Sequence, residues 1–257
     1  NAGTGTLTFG QAGGTSLGLL AIGTNNGHEL VLSAASADLT IAIPIVNTGG
    51  NAGSLLITGP NAVNLTGANN YTGSTTIASG TVNLGGLGKL GTSAGTQAVH
   101  VAEGAVLNLN KTVTFAGTVT GAGAINSTNT TTVTGDYTGF SGTFTHNSTT
   151  SSTGFNVATA TSKDAAYVLA SAQGSSQGMI AAGAGNYTLE MGSLSGVANS
   201  LFRGGNVATG TTTLQIGNLN TDTTFAGSIN NGTTKELALT KVGTGTLTLT
   251  GTSNYSG

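Results

Sequence analysis

Apolar and polar residues alternate along most of this chain in short bursts, and each burst ends in glycine, asparagine or serine. Val63-Asn64-Leu65-Thr66, Thr81-Val82-Asn83-Leu84, Ala105-Val106-Leu107-Asn108-Leu109 and Thr246-Leu247-Thr248-Leu249 show the pattern at its cleanest. A period of two places one set of side chains on one face of an extended strand, so each burst predicts a half-buried strand. Further strands are expected at Glu29-Leu30-Val31-Leu32, Asp38 to Ile43, Ser54 to Ile57, Ser74 to Ala78, Gln97 to Val101, Thr112 to Val119, Tyr187-Thr188-Leu189, Thr212 to Ile216 and Glu236 to Leu239. Breakers such as Gly59-Pro60, Ser79-Gly80 and Glu103-Gly104 separate them. Sustained helical periodicity is absent; the alanines of 165–172 permit a helical turn, but the Tyr167-Val168-Leu169 centre fits a strand as well. Within the loop-like stretch 85–91, Leu87 and Leu90 are available to pack inward.

The bursts also repeat their wording. Val63 to Gly73 aligns without a gap on Leu247 to Gly257, each an alternating strand followed by glycine, small polar residues, asparagine, tyrosine and a second glycine. The motif positions are Gly67, Asn70, Tyr71 and Gly73 in the first copy and Gly251, Asn254, Tyr255 and Gly257 in the second. A worn third version carries Gly135, Tyr137 and Gly139. Gly3 to Phe9 returns as Gly243 to Leu249, and Thr112 to Val119 returns loosely as Thr223 to Ile229. A β-sandwich has no reason to repeat one strand-turn phrase; a stack of coils does, because equivalent positions meet equivalent neighbours. The expected fold is all-β, a parallel β-helix (β-solenoid). At about 20–25 residues per coil it would contain roughly 11 coils. Parallel crossovers are right-handed in about 98% of cases, so the helix is expected to be right-handed. The whole of 1–257 reads as a single solenoid segment of a longer chain, with the Ser/Thr-rich region 147–165 as a protruding loop or sub-boundary.

Composition sharpens this reading. Charged residues are only 5% of the chain, against about 25% in ordinary domains. Glycine is 44 of 257 residues, and the net charge is -2. In a stack, a charge tends to sit over its counterpart in the next coil, where like charges repel. Hydroxyl and amide side chains bond there instead. Six Lys plus Arg cannot form the basic stripe that nucleic acid needs, nor a cluster for an anionic membrane. No apolar run approaches the ~18 residues of a membrane helix. Cysteine is absent, so no disulfide staples the fold.

Candidate chemistry is sparse. The eight carboxylates are spread along the chain; stacking could bring Asp136 near Glu103 or Asp164, but Asp136 equally fits an ordinary turn position. His28, His100 and His146 lack metal-ligand spacing, and His100 is expected to face outward from its strand. Gly121-Ala122-Gly123-Ala124 lacks the lysine and helix of a phosphate loop and reads as a tight corner. Tyr71, Tyr137 and Tyr255 are expected to cover coil corners with their hydroxyls at the surface; the sharper alternative is a row of aromatic platforms for sugars. No catalytic residue, metal ligand or cofactor site is expected.

Lys241 to Gly257 and Asn64 to Leu84 resemble the passenger-associated transport repeat of autotransporters and related bacterial surface proteins. Gly192 to Gly196 and Phe225-Ala226-Gly227 are phrases also common in such proteins. The resemblance implies a secreted, surface-located, β-helical stalk. The role expected is therefore a structural rod or fibre-forming segment without enzymatic activity, extracellular or on a bacterial cell surface. Its partners would be neighbouring coils or copies of itself end to end. An adhesin passenger that binds surface glycans is the alternative. A β-helical polysaccharide-cleaving enzyme would need a basic cleft that six dispersed cations are not expected to form.

Overall fold

The computed structural model describes residues 7–9, 18–23, 27–48, 52–92, 97–172 and 177–257. The Gly3–Thr6 part of the first repeated phrase lies outside them. Among the described residues the chain passes over three faces in strict rotation. The first face is one continuous eleven-stranded sheet, beginning at Leu7–Phe9 and ending at Leu247–Leu249. Every pairing in it is parallel. One strand per coil gives eleven rungs, and at ~4.8 Å per strand they stack to about 50 Å.

The second face begins with Leu20–Ile22 on Ile45–Asn47 and continues through the bridge Val46–Asn70. It then resumes as a six-stranded sheet from Val113–Phe115 to Ser228–Asn230. The third face runs through five strands from Glu29–Ser33 to Val119–Thr120, and a later three-stranded sheet spans Tyr187–Met191, Gly210–Ile216 and Lys235–Lys241. This rotation is the architecture of a parallel β-helix. The corners between faces are tight. Gly80 sits at φ +76, and a methyl group there would lie 2.2 Å from the Gly59 carbonyl oxygen, so only glycine fits.

Strict alternation explains which side chains point inward. Strands Ala62–Leu65, Thr81–Leu84 and Val106–Leu109 each bury their second and fourth residues. Val63, Val82, Leu107, Ile125, Phe144 and Tyr167 stack as one inward row and are fully buried. On the outward side of the same sheet, amides form a ladder. Asn64 donates to Thr40 Oγ1 (3.2 Å), Asn83 to Asn64 Oδ1 (2.8 Å), Asn108 to Asn83 Oδ1 (2.8 Å) and Asn126 to Asn108 Oδ1 (2.9 Å). The partners are 24, 19, 25 and 18 residues apart, so the coils vary in length while this position stays in register.

The middle rungs hold two features that the periodicity does not announce. Phe115, Tyr137, Phe140, Phe144, Phe155, Tyr167 and Phe202 form one connected cluster with ring centroids 5.9–6.5 Å apart. Each such contact adds about 0.5–1.5 kcal/mol beyond simple burial. Beside it lies a buried polar layer. In the second inward row, Ser127 and His146 occupy the place that Leu84 and Leu109 take in earlier rungs. His146 Nε2 lies 3.1 Å from the Ser151 carbonyl oxygen, an acceptor only, so that nitrogen carries the proton. Nδ1 then accepts from Thr153 Oγ1 at 3.1 Å, and Ser127 bonds to Thr131 Oγ1 and the Asn129 carbonyl. Desolvation pushes the His146 pKa down from 6.5 to about 4.

This layer bears on the stretch 147–165, part of which is built into the wall of the helix. Ser152–Phe155 is a strand paired in parallel on both sides, and Ser151 and Thr153 point inward to His146. The Ser/Thr richness therefore has two sources: Thr149 and Thr150 are exposed at a bend, whereas Ser151 and Thr153 are buried beside His146. Residues 166–169 are strand, and the short turn Ala158–Ala160 is the only helix among the described residues. Leu90 packs inward as expected, whereas Leu87 is 68% exposed because it occupies the tip of the turn.

Two predictions follow from the ladder and the polar layer. Asn83→Ala removes two ladder bonds and is expected to cost about 1–2 kcal/mol in urea unfolding, while Asn126→Ala, which removes one, should cost less. Because the folded-state pKa of His146 is depressed, the folded chain binds fewer protons than the unfolded one. Stability is therefore full above pH ~6.5 and falls as pH drops towards ~4, by about 3 kcal/mol in total. Asp136, held below the usual carboxylate range by Thr138, loses its contribution only below that window. The decline should persist in His100→Gln and vanish in His146→Leu.

Candidate functional site

The repeated phrase carries the chain off the first face, across the second face at Asn70 and round to the third. Strand Ala62–Leu65 ends as Thr66 and Gly67 donate their N–H groups to the Ile41 carbonyl of the rung below. A methyl group on Gly67 would lie 2.2 Å from the Ile43 carbonyl oxygen, and one on Gly73 would lie 2.5 Å from that of Gly53. Both glycines are thus required by rung-to-rung contact. Asn69, 1% exposed, acts as a rivet through three rungs: its Oδ1 accepts from Ile45 N (2.9 Å) and its Nδ2 donates to the Lys89 carbonyl (2.8 Å).

The second copy reproduces the main bonds to the rung below. Ser253 Oγ accepts from Ile229 N (3.1 Å), as Asn69 accepts from Ile45. Asn254 N bonds to the Ile229 carbonyl as Asn70 N bonds to that of Ile45, and Gly257 N bonds to Leu237 as Gly73 N bonds to Gly53. A methyl group on Gly251 would lie 2.1 Å from the Gly227 carbonyl oxygen. Asn70 and Asn254, singled out in the sequence, act here through their backbone, and both are exposed. The side-chain rivet is the preceding residue, which sequence reading passed over although both copies carry a small hydrogen-bonding residue there.

The tyrosines point inward, which corrects the surface-hydroxyl expectation. Tyr71 and Tyr137 are fully buried, and Tyr255 is half-buried against the core. The Tyr71 hydroxyl bonds to Thr75 Oγ1. The Tyr137 hydroxyl is buried without a hydrogen-bond partner. Burial removes Tyr71 and Tyr137 as platforms for sugars. In this third, shorter version the Asp136 carboxylate turns back on Thr138, accepting from its N–H (2.9 Å) and hydroxyl (2.6 Å), and no inter-rung rivet forms. Gly135 is still forced, since a methyl group would meet the Gly117 carbonyl oxygen at 2.0 Å, whereas Gly139 has more room.

The charged residues serve the stack. Asp38 accepts from Ala62 N, Asp222 from Thr246 N and Glu190 from Gln215 Nε2, each one rung away. Asp164 pairs with Lys163 at 2.9 Å. His100 faces outward and bonds to Thr120 of the next rung, and His146 is in the core. Among the described residues no three His, Asp or Glu side chains come together as a metal site. Gly121 is a tight corner with φ +101. Only 1% of Lys235 is exposed: its stem lies in the wall and its Nζ donates to the Gly185 carbonyl (2.6 Å), 4.6 Å from the Tyr187 ring centre.

The two buried tyrosine hydroxyls make opposite predictions. Tyr71→Phe strands the buried Thr75 hydroxyl and is expected to cost about 1–2 kcal/mol, whereas Tyr137→Phe deletes an unpaired hydroxyl and should be neutral or stabilising by up to ~1 kcal/mol. Paired denaturant melts check this. No curated protein and no solved structure matches the chain. The family model that matches is the passenger-associated-transport-repeat, over residues 55–84 and 239–257. The first match spans one full turn of the helix, since Leu55 registers with Thr75 and Val63 with Val82. The rung whose corner carries Gly67, Asn69, Tyr71 and Gly73, and its counterpart at Gly251 to Gly257, are the stretches in which the chain is similar to this repeat of autotransporter-type passengers.

Proposed function

We propose that the chain is a structural rod, a stalk segment of a secreted bacterial surface protein with no catalytic activity of its own. The repeat belongs to secreted, surface-exposed passengers. The observation that carries the reading is the use of the polar inventory. The Asn64–Asn126 ladder, the Asn69 rivet and the Asp38, Glu190 and Asp222 bonds all run from one rung to another. Such bonding resists separation of the rungs along the axis and converges on no reactive centre. Coils of the same chain above and below, or a second copy end to end, are the natural partners of such a stack, because the outermost strands of an open solenoid have unpaired edges.

The adhesin reading differs in one respect: it needs an outward face that recognises a glycan as a chain of contacts. The outward amides of the long sheet are already bonded to one another, which favours the rod. The purified chain, displayed at high density on a glycan array and on host-cell monolayers, is expected to show no extended, multi-sugar recognition along this face. Saturable adhesion that Asn83→Ala or Asn108→Ala abolishes, in a variant that remains folded, would replace the rod by the adhesin.

A further inference from the structure

The second face is interrupted between Asn70 and Val113, and a small cleft of about 160 Å³ opens there. Its walls come from Gly88–Thr92 of one rung and Lys111–Phe115 of the next. Two of the six cations of the chain, Lys89 and Lys111, line it together. Two cations that lie apart in the sequence thus line one cleft. Lys111 Nζ donates to the Gly88 carbonyl at 3.1 Å, which fixes it over the cleft. None of the eight carboxylates pairs with either lysine; the one ion pair among the described residues is Lys163–Asp164.

The cleft floor is an open sheet edge. Val113 N bonds to Thr130 O, and Phe115 O accepts from Thr134 N and Gly135 N, all on the side of the following rung. Backbone groups alternate in direction along a strand, so the Thr114 N–H and C=O face the opposite way, towards 88–92. No backbone bond among the described residues meets them there. Thr92 and Thr112 also line the cleft, their hydroxyls bonded to Gln97 and Asn129.

We propose that this cleft binds a small oxyanion, a carboxylate or sulfate carried on a group of about monosaccharide size. The two ammonium groups supply the charge and the Thr114 N–H a directed donor, and an anion between them relieves the repulsion of two unpaired like charges. The Lys111 pKa is already drawn down, first by desolvation and then by the charge of Lys89, which an anion would reverse. The site is independent of the rod reading, because it needs one gap between two rungs and no extended face. Its size confines it to one sugar-like unit and to millimolar affinity.

The test is an NMR titration of the ¹⁵N-labelled chain, at constant ionic strength, with sodium glucuronate, glucose 6-sulfate and neutral glucose in separate arms. Saturable shifts of the Thr112 and Thr114 amides with either anion, and a rise in the Lys111 pKa on binding, are expected. The arm that saturates identifies carboxylate or sulfate as the source. Lys89→Gln combined with Lys111→Gln should weaken binding about tenfold or more, while Lys163→Gln leaves it unchanged. Lys89→Gln alone, which breaks no hydrogen bond, serves if the double variant fails to fold. The proposal is overturned if glucose moves the same amides as far as the anions do, if neither anion saturates, or if the folded lysine variants bind as the parent does.

Discussion

A single rung of this helix cannot stand alone. Its inward row is one side chain thick, and its strands find hydrogen-bond partners only in the rungs above and below. Val82 is buried because Val63 lies beneath it and Leu107 above. The same holds for the outward amides, where Asn83 both donates to Asn64 and accepts from Asn108. Register between neighbours is therefore the constraint on which everything else rests. Coils may lengthen or shorten at their corners, but positions that stack must stay stacked.

That constraint accounts for the composition. Glycine is abundant because corners of successive rungs touch backbone to backbone, as at Gly67 on Ile43 and Gly251 on Gly227. Charge is scarce because a vertical column has no place for repeated like charges, and neutral amides can bond without limit along it. Some of the charges that do occur are matched to a backbone donor one rung away, as with Asp38 and Asp222, and the stem of Lys235 is enclosed in the wall.

The period-two bursts and the repeated phrase made the strands, the parallel stack and the coil number legible before any coordinates. Rows that depart from simple alternation were not legible. Ser151 and Thr153 look like loop residues, because only the partner His146 on the adjacent strand shows that they line a polar layer. Tyrosine carries an apolar body and a polar tip, and nothing local says that the tip of Tyr71 will meet Thr75 inside. Asn69 was hidden by its neighbour Asn70, since which of two adjacent asparagines turns inward depends on the rung beneath. The meeting of Lys89 and Lys111 was hidden too, because it depends on the length of one coil. For Asn69 and for the two lysines the missing information was vertical, between residues about one coil apart; for His146 and Tyr71 it lay around a corner of the same coil, between residues that alternation along a single strand does not relate.

If the chain is the rod proposed above, it works by repetition, and the gap beside Val113 is a place where a ligand would find exposed donors. The central claim, that stacked positions one coil apart lie in direct lateral contact, has a direct test because the chain contains no cysteine. Cysteine pairs are introduced on the long sheet and oxidised mildly, and the disulfides are mapped by mass spectrometry. Asn83→Cys with Asn108→Cys, which are register partners on adjacent rungs, should close rapidly, since neighbouring strands lie within disulfide reach. Asn83→Cys with Asn126→Cys, two rungs apart at about 10 Å, should stay reduced. Closure of the second pair as readily as the first, or of neither, would contradict the stacked helix.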